Sequence, residues 1–322
     1  MEVEGANANA SISQGSESQP HSTYLANPLM GDFVSDWSPL HDASIHGRLL
    51  ALKKLINQGT SVNLMTADRV SPLHEACLGG HSACASVLLK HGAHKENMEA
   101  CHVNLHQNKT QEQRRGAASL NAVNGATIDW NTPLFNACIN GSVDCLNLLL
   151  QHGASPHAVC DLASPIHEAA KRGHIECVES LVSHGVSIDH NIKHLGTPLS
   201  VACENQQVDC TKKLLESGAS ANSGKGLDSP LHIAAQKSNA DLVHLLIDFG
   251  ADTRSLNAEG KKPAEMVPSN STLAQIFLQR EGPLSLMQLC RLYIRRYLGS
   301  HQQRRISELL LPDELKRFLL YL

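Results

Sequence analysis

Four histidines stand at matching places in four short phrases: Ser38-Pro39-Leu40-His41, Ser71-Pro72-Leu73-His74, Ser164-Pro165-Ile166-His167 and Ser229-Pro230-Leu231-His232. Ten cysteines accompany them, and seven recur in step with the same phrases. Imidazole and thiolate are good zinc ligands, and a thiolate beside an imidazole base is a nucleophile. The spacing argues against both chemistries. A ligand set must converge on one point, whereas these histidines recur along the chain one repeat at a time. They are read as hydrogen-bonding groups between adjacent turns. Cys77, Cys138 and Cys203 lie five residues after the phrase proline, where other copies carry Ala170 and Ala235. Cys84, Cys145, Cys177 and Cys210 lie twelve after it, where other copies carry Ala51 and Leu242. Positions shared with Ala and Leu are expected to be small, semi-buried packing sites. No Cys-x-x-Cys pair occurs, which favours a reducing compartment over a zinc or disulfide framework. No nucleophile–base set, glycine-rich phosphate loop or paired acidic motif stands out, so neither cofactor nor metal is implied, and an enzyme is the weakest reading.

The phrases themselves say which elements must hold these residues. Proline suits the first turn of a helix, where its missing N–H would have no intrahelical partner, and the Ser or Thr before it can cap. Thr132-Pro133-Leu134-Phe135 and Thr197-Pro198-Leu199-Ser200 add two copies. After the second phrase, Gly79-Gly80 lets the chain reverse, and Gly92 after Leu88-Leu89 is a left-handed helix stop. Each copy is thus two short helices, too short to bury an apolar face alone. The six prolines are separated by 33, 61, 32, 33 and 32 residues, and a weaker copy at Pro263 follows after another 33. A period of about 33 with this phrase matches the ankyrin repeat, a turn plus two helices stacked into a solenoid. The fold expected is an all-α ankyrin-repeat solenoid of six to seven repeats followed by a separate C-terminal helical module. The interval of 61 is restored to 33 by removing 94–121, which rejoins Gly92-Ala93 to Ala122-Val123-Asn124. That segment reads as a disordered insertion in one finger loop, which closure entropy tolerates.

The boundaries follow from composition. Residues 1–23 are rich in Ser, Asn, Gly and Gln and read as disordered. Residues 24–37 carry Leu25, Leu29, Phe33 and Trp37 with no helical period, and serve either as a cap on the first repeat or as a client-binding arm. The repeat domain runs over 38–281 and the terminal module over 282–322. The formal charge of −4 implies no general affinity for nucleic acid or anionic membrane. No stretch reaches the length of a membrane helix. The first Lys or Arg is Arg48, so no Arg-rich transit peptide or secretory signal is apparent and the cytosol is expected. In a solenoid the uniform positions hold the stack and the variable turn tips meet partners. Those tips include Asp68-Arg69, Asp129-Trp130-Asn131, Asp161-Leu162, His194-Leu195 and Leu227-Asp228. Trp130 is either an interface anchor or packing beneath the 94–121 loop. Client-binding candidates are Leu25, Leu29, Asp32, Phe33, Trp37, Asp68, Trp130 and Asn131.

The terminal module carries the most specific signal outside the repeats. Ser285-Leu286-Met287-Gln288-Leu289-Cys290-Arg291-Leu292-Tyr293-Ile294 puts Leu286, Cys290 and Ile294 on one helix face, widened by Leu289 and Leu292. The module is expected to have two helical arms around Gly299-Ser300. Leu286, Cys290 and Ile294 resemble the elongin-binding box of the SOCS-box family, whose pattern is Leu, three residues, Cys, three residues and an aliphatic. Downstream, Leu309, Leu311, Pro312 and Leu315 resemble its cullin box, while Leu310 stands where the family usually has Pro and Phe318 where it has Tyr or Leu. Repeats and box together resemble the ankyrin repeat and SOCS box family over 38–322. The resemblance implies a substrate receptor without catalysis of its own: Leu286, Leu289, Cys290 and Ile294 dock elongin B and elongin C, and Leu309, Leu311, Pro312 and Leu315 dock a cullin of the cullin-five type with its RING subunit. The repeats would hold a client for ubiquitination. The wording of Asn27-Pro28-Leu29-Met30-Gly31-Asp32 is similar to one member for which creatine kinase is the implied client, although nothing in the residues derives it. An ankyrin scaffold without ligase coupling is the rival reading, with the terminal module as a mere capping hairpin.

Overall fold

The computed structural model describes residues 37–93, 123–158, 164–280, 286–303 and 306–320. The expectations for residues 1–36 and 94–121, and for the tip Asp161-Leu162, fall outside the described residues. Fifteen α-helices and no strands occur among them, with two isolated β-bridges at Ile192–Gly196 and Lys225–Asp228.

Six helix pairs follow one another: α1 (Pro39–Ile45) and α2 (Leu49–Asn57), α3 (Pro72–Leu78) and α4 (Ser82–Leu88), α5 (Pro133–Asn140) and α6 (Val143–Gln151), α7 (Pro165–Arg172) and α8 (Ile175–Ser183), α9 (Pro198–Glu204) and α10 (Val208–Glu216), α11 (Pro230–Gln236) and α12 (Ala240–Asp248). Every first helix begins on its phrase proline. The hydroxyl oxygens of Ser38, Ser71, Thr132, Thr197 and Ser229 accept the backbone N–H three residues on, at 3.1–3.4 Å. Gly92 closes the second pair at φ 98°, and Gly59, Gly153, Gly185, Gly218 and Gly250 repeat that left-handed turn, which costs a residue with a Cβ far more than glycine.

First helices pack on first helices and second on second, so each pair touches the ones before and after it. The leucine or isoleucine after each proline is at most 1% exposed, and one apolar core runs through the stack. The seven repeat cysteines lie inside it. They are fully rather than semi-buried, as members of that one core. A seventh, shortened unit, a 3₁₀ turn at Pro263–Met266 and α13 (Thr272–Arg280), packs on the last pair.

The terminal module is α14 (Leu286–Gln303), a 3₁₀ turn (Ile306–Glu308) and α15 (Asp313–Leu320). The expected break at Gly299-Ser300 is absent, since α14 runs through it. An internal glycine costs a helix only about 1 kcal/mol, less than the cost of nucleating a new one.

Candidate protein-interaction surfaces

The phrase histidines are consumed by the stack. The Ser71 N–H donates to His74 Nδ1 at 3.2 Å, so the proton sits on Nε2 and is donated to the carbonyls of Gly125 and Asn131, both at 3.1 Å. His41 Nε2 donates to Val70, His167 to Gly196 and His232 to Lys261, each at 3.0–3.1 Å. Each ring ties its own helix to the finger of the next repeat, as expected from the spacing. Burial lowers His74 and His167 to about 4, which keeps both rings neutral. It also pushes Cys177 up to about 11 and Cys203 and Cys210 to about 12, so these thiols are protonated and poor nucleophiles at neutral pH. Among the described residues no cluster of three or more His, Cys, Asp or Glu could hold a metal ion. None of the described helices is long and apolar enough to cross a membrane.

The fingers form the first candidate surface. Each is a tight turn closed on itself: Thr127 N–H donates to the Asn131 carbonyl and Trp130 N–H to Thr127, both at 3.0 Å, and Thr66 to Val70 likewise. Ile128 N–H donates to the Asp68 carbonyl at 3.1 Å and so joins the two fingers that carry Asp68 and Trp130. Asp68 is exposed, Trp130 is 49% exposed and Asn131 is half-buried. Arg69 and Trp130 have φ of 60° and 65°, at the place where the last finger has Gly260 at 72°. A tryptophan in that left-handed region is strained, and such strain persists where the surroundings or a function hold it. Ile128 beside Trp130, Met65 beside the Asp68 turn, and Leu227 and Leu256 on later fingers are also exposed. Of these, sequence reasoning named only Leu227. Met65 and Leu256 fall seven residues before their phrase proline, so aligning the copies against one another would have exposed that register. Of the arm candidates, Leu25, Leu29, Asp32 and Phe33 lie outside the described residues. Trp37 is half-buried with its ring 5.2 Å from the His41 ring.

The second surface is α14. Leu286 (77% exposed), Met287, Leu289, Cys290, Tyr293 (72%), Ile294 and Tyr297 (83%) share its outward side. Leu292, half-buried, and Arg295, buried, face the other way. The four residues assigned to elongin are thus brought together, with Met287, Tyr293 and Tyr297 as additions. Below them, Leu309 N–H donates to Ile306 and Leu311 N–H to Leu309, forming a tight turn before α15. Leu309, Pro312 and Leu315 are exposed on it, Leu311 is half-buried and Leu310 is fully exposed.

Two protein-family descriptions match the chain. "Ankyrin repeats (3 copies)" matches in overlapping spans over 21–99, 40–194, 134–225 and 199–279, and "SOCS box" matches 282–320. Among curated relatives, mouse (Mus musculus) ankyrin repeat and SOCS box protein 9 is 62% identical over 94% of this chain and 95% of its own length. The human (Homo sapiens) protein of that name is 56% identical over 92% of each. Among solved structures, that of the human ASB11 ankyrin repeat domain superposes with a TM-score of 0.66 at 50% identity, covering 77% of this chain and all of that one.

Proposed function

The chain belongs to the ankyrin repeat and SOCS box family, and on that premise we propose that it is the substrate-recognition subunit of a cullin–RING ubiquitin ligase. A SOCS box implies elongin B, elongin C and a cullin–RING pair as partners in general. The finer assignment is a cullin of the cullin-five type, met by Leu309, Leu311, Pro312 and Leu315. The client is a protein gripped by the finger tips around Asp68, Trp130 and Asn131 together with the arm at 24–37. Creatine kinase is our nominated client, on likeness to mouse and human ankyrin repeat and SOCS box protein 9. The working compartment is the cytosol, and the chain positions the client rather than transferring ubiquitin itself.

The observation that carries the reading is the outward side of α14. A helix that merely capped the solenoid would turn its large apolar residues inward, yet six of them stand exposed in one row. An apolar patch of that kind on a folded chain marks a partner site. Leu286 and Cys290, one turn apart, sit at its N-terminal end.

The test is co-purification. Leu286→Ala with Cys290→Ala should remove an anchor worth on the order of 3–5 kcal/mol, by analogy with truncating buried aliphatic groups. That is a loss of at least about a hundredfold in elongin affinity. Wild-type yield of elongins from the double variant would leave the rival reading, a repeat scaffold with no ligase attached.

A further inference from the structure

The side of α14 opposite the proposed elongin surface lies on the repeat stack, and Arg295 is buried there. Arg295 is only 5% exposed. Its Nη2 donates to the carbonyls of Leu215 at 2.9 Å and Glu216 at 3.0 Å, the last residues of α10. Its Nη1 donates to the Leu319 carbonyl at 2.9 Å, near the end of α15. The guanidinium also lies 5.6 Å from the ring of Phe249, the residue that ends α12. The ends of two helices, α10 and α15, therefore give carbonyls to one cation, and the residue after α12 sets its ring near it. Helix C-termini carry unsatisfied carbonyls and the negative end of the dipole, so a planar cation with five donors suits them where a single ammonium would not.

A second contact lies beside it. Leu292, one turn before Arg295, packs against Gly250, where an added Cβ would come within 2.7 Å of Leu292 Cδ1. Leu292 and Arg295 share a helix face. They seat α14 on the turns that follow α10 and α12, the outer helices of the last two full repeats.

We infer that Arg295 is a positioning residue that fixes the angle between the repeat stack and the terminal box. This deepens the function proposed above. If the stack holds the client and the outward side of α14 holds the ligase, the Leu292–Arg295 seat sets where ubiquitin can reach. A pose fixed by one guanidinium would confine transfer to the client lysines that face it. Arg291 gives an internal comparison: its guanidinium lies 3.8 Å from the Phe318 ring, a contact made within the box.

The experiment uses the full chain, co-expressed with elongin B and elongin C, with encoded fluorophores at the exposed positions Lys237 on the stack and Glu314 on the box. Arg295→Lys keeps the charge but cannot span three carbonyls. Its distance distribution should broaden while elongin capture stays at the wild-type level, and ubiquitin should spread over more client lysines. Arg291→Lys should leave the distances unchanged. An unchanged distribution in Arg295→Lys, or equal broadening in Arg291→Lys, overturns the inference. So does loss of elongin capture by Arg295→Lys, which would make Arg295 a residue that holds the box together instead of posing it. If the wild-type chain itself captures no elongin, the ligase reading fails, and the same distance measurement on the chain alone still decides the role of Arg295.

Discussion

At the scale of single residues, the repeat histidines look like chemistry and act as fasteners. His74 accepts from Ser71 on one nitrogen and donates to two carbonyls of the next finger from the other, an arrangement that only the neutral ring satisfies. Protonating Nδ1 would set it against the Ser71 N–H inside a buried site. The folded pKa of about 4 for His74 and His167 lies below the ordinary 6.5. Between those values the unfolded chain binds protons that the native one refuses, so stability is full above pH 6.5 and falls as pH drops toward 4. The loss reaches about 2 kcal/mol per ring at pH 5, before most carboxylates contribute. Urea unfolding at pH 7 and pH 5 should show this loss in the wild type, and His74→Gln with His167→Gln should lose markedly less between the same two pH values. Equal losses would mean that these rings do not set the acid sensitivity. The thiols carry the same lesson, since their burial raises the pKa and removes reactivity.

At the scale of elements, the helices were legible because their signals are local. Ser or Thr, then Pro, then Leu fixes a helix start by capping and by a proline that loses no hydrogen bond, and six copies in phase remove the ambiguity of one. The outward face of α14 was legible for a similar reason, because Leu286, Cys290 and Ile294 repeat at a helical interval. What stayed hidden was non-local. Nothing near Arg295 in the chain announces that the carbonyls of Leu215 and Glu216 await it 80 and 79 residues away. Gly299-Ser300 marks the expected division between two helical arms, yet α14 continues through it. The finger that carries Trp130 combines both lessons: its place was legible from the repeat register, and its backbone strain was not. Glycine at φ 65° relieves a cost of about 1–3 kcal/mol and returns about 1 kcal/mol of that through the looser unfolded chain. Trp130→Gly should therefore leave the melting temperature unchanged or raise it by a few degrees, while client capture is lost. A clear fall in melting temperature would show that the ring is needed for the fold, and retained capture would remove Trp130 from the client site.

At the scale of the whole molecule, a solenoid separates tasks that a globular domain would mix. Among the described residues each helix pair packs chiefly on the pairs beside it, so damage in the first repeats need not reach the terminal box. Arg295 bonds the end of α10 and lies near Phe249 beside the end of α12, both in the last two full repeats. Trp37, the last residue of the 24–37 segment, has its ring beside the His41 ring of the first repeat. That separation makes the client hypothesis testable by truncation. Removing 1–22, which is nearly devoid of large apolar groups, should change neither function. Removing 1–36 takes away Leu25, Leu29, Asp32 and Phe33 but leaves Trp37 and every described contact of the first repeat in place. If those four residues grip the client, the shorter chain should capture elongins at the wild-type level and the client not at all. Normal client capture by that chain would reduce the arm to a cap. Joint loss of client and elongin would show something else, namely that the first repeat unfolds without its cover and that the unfolding spreads through the stack to the box.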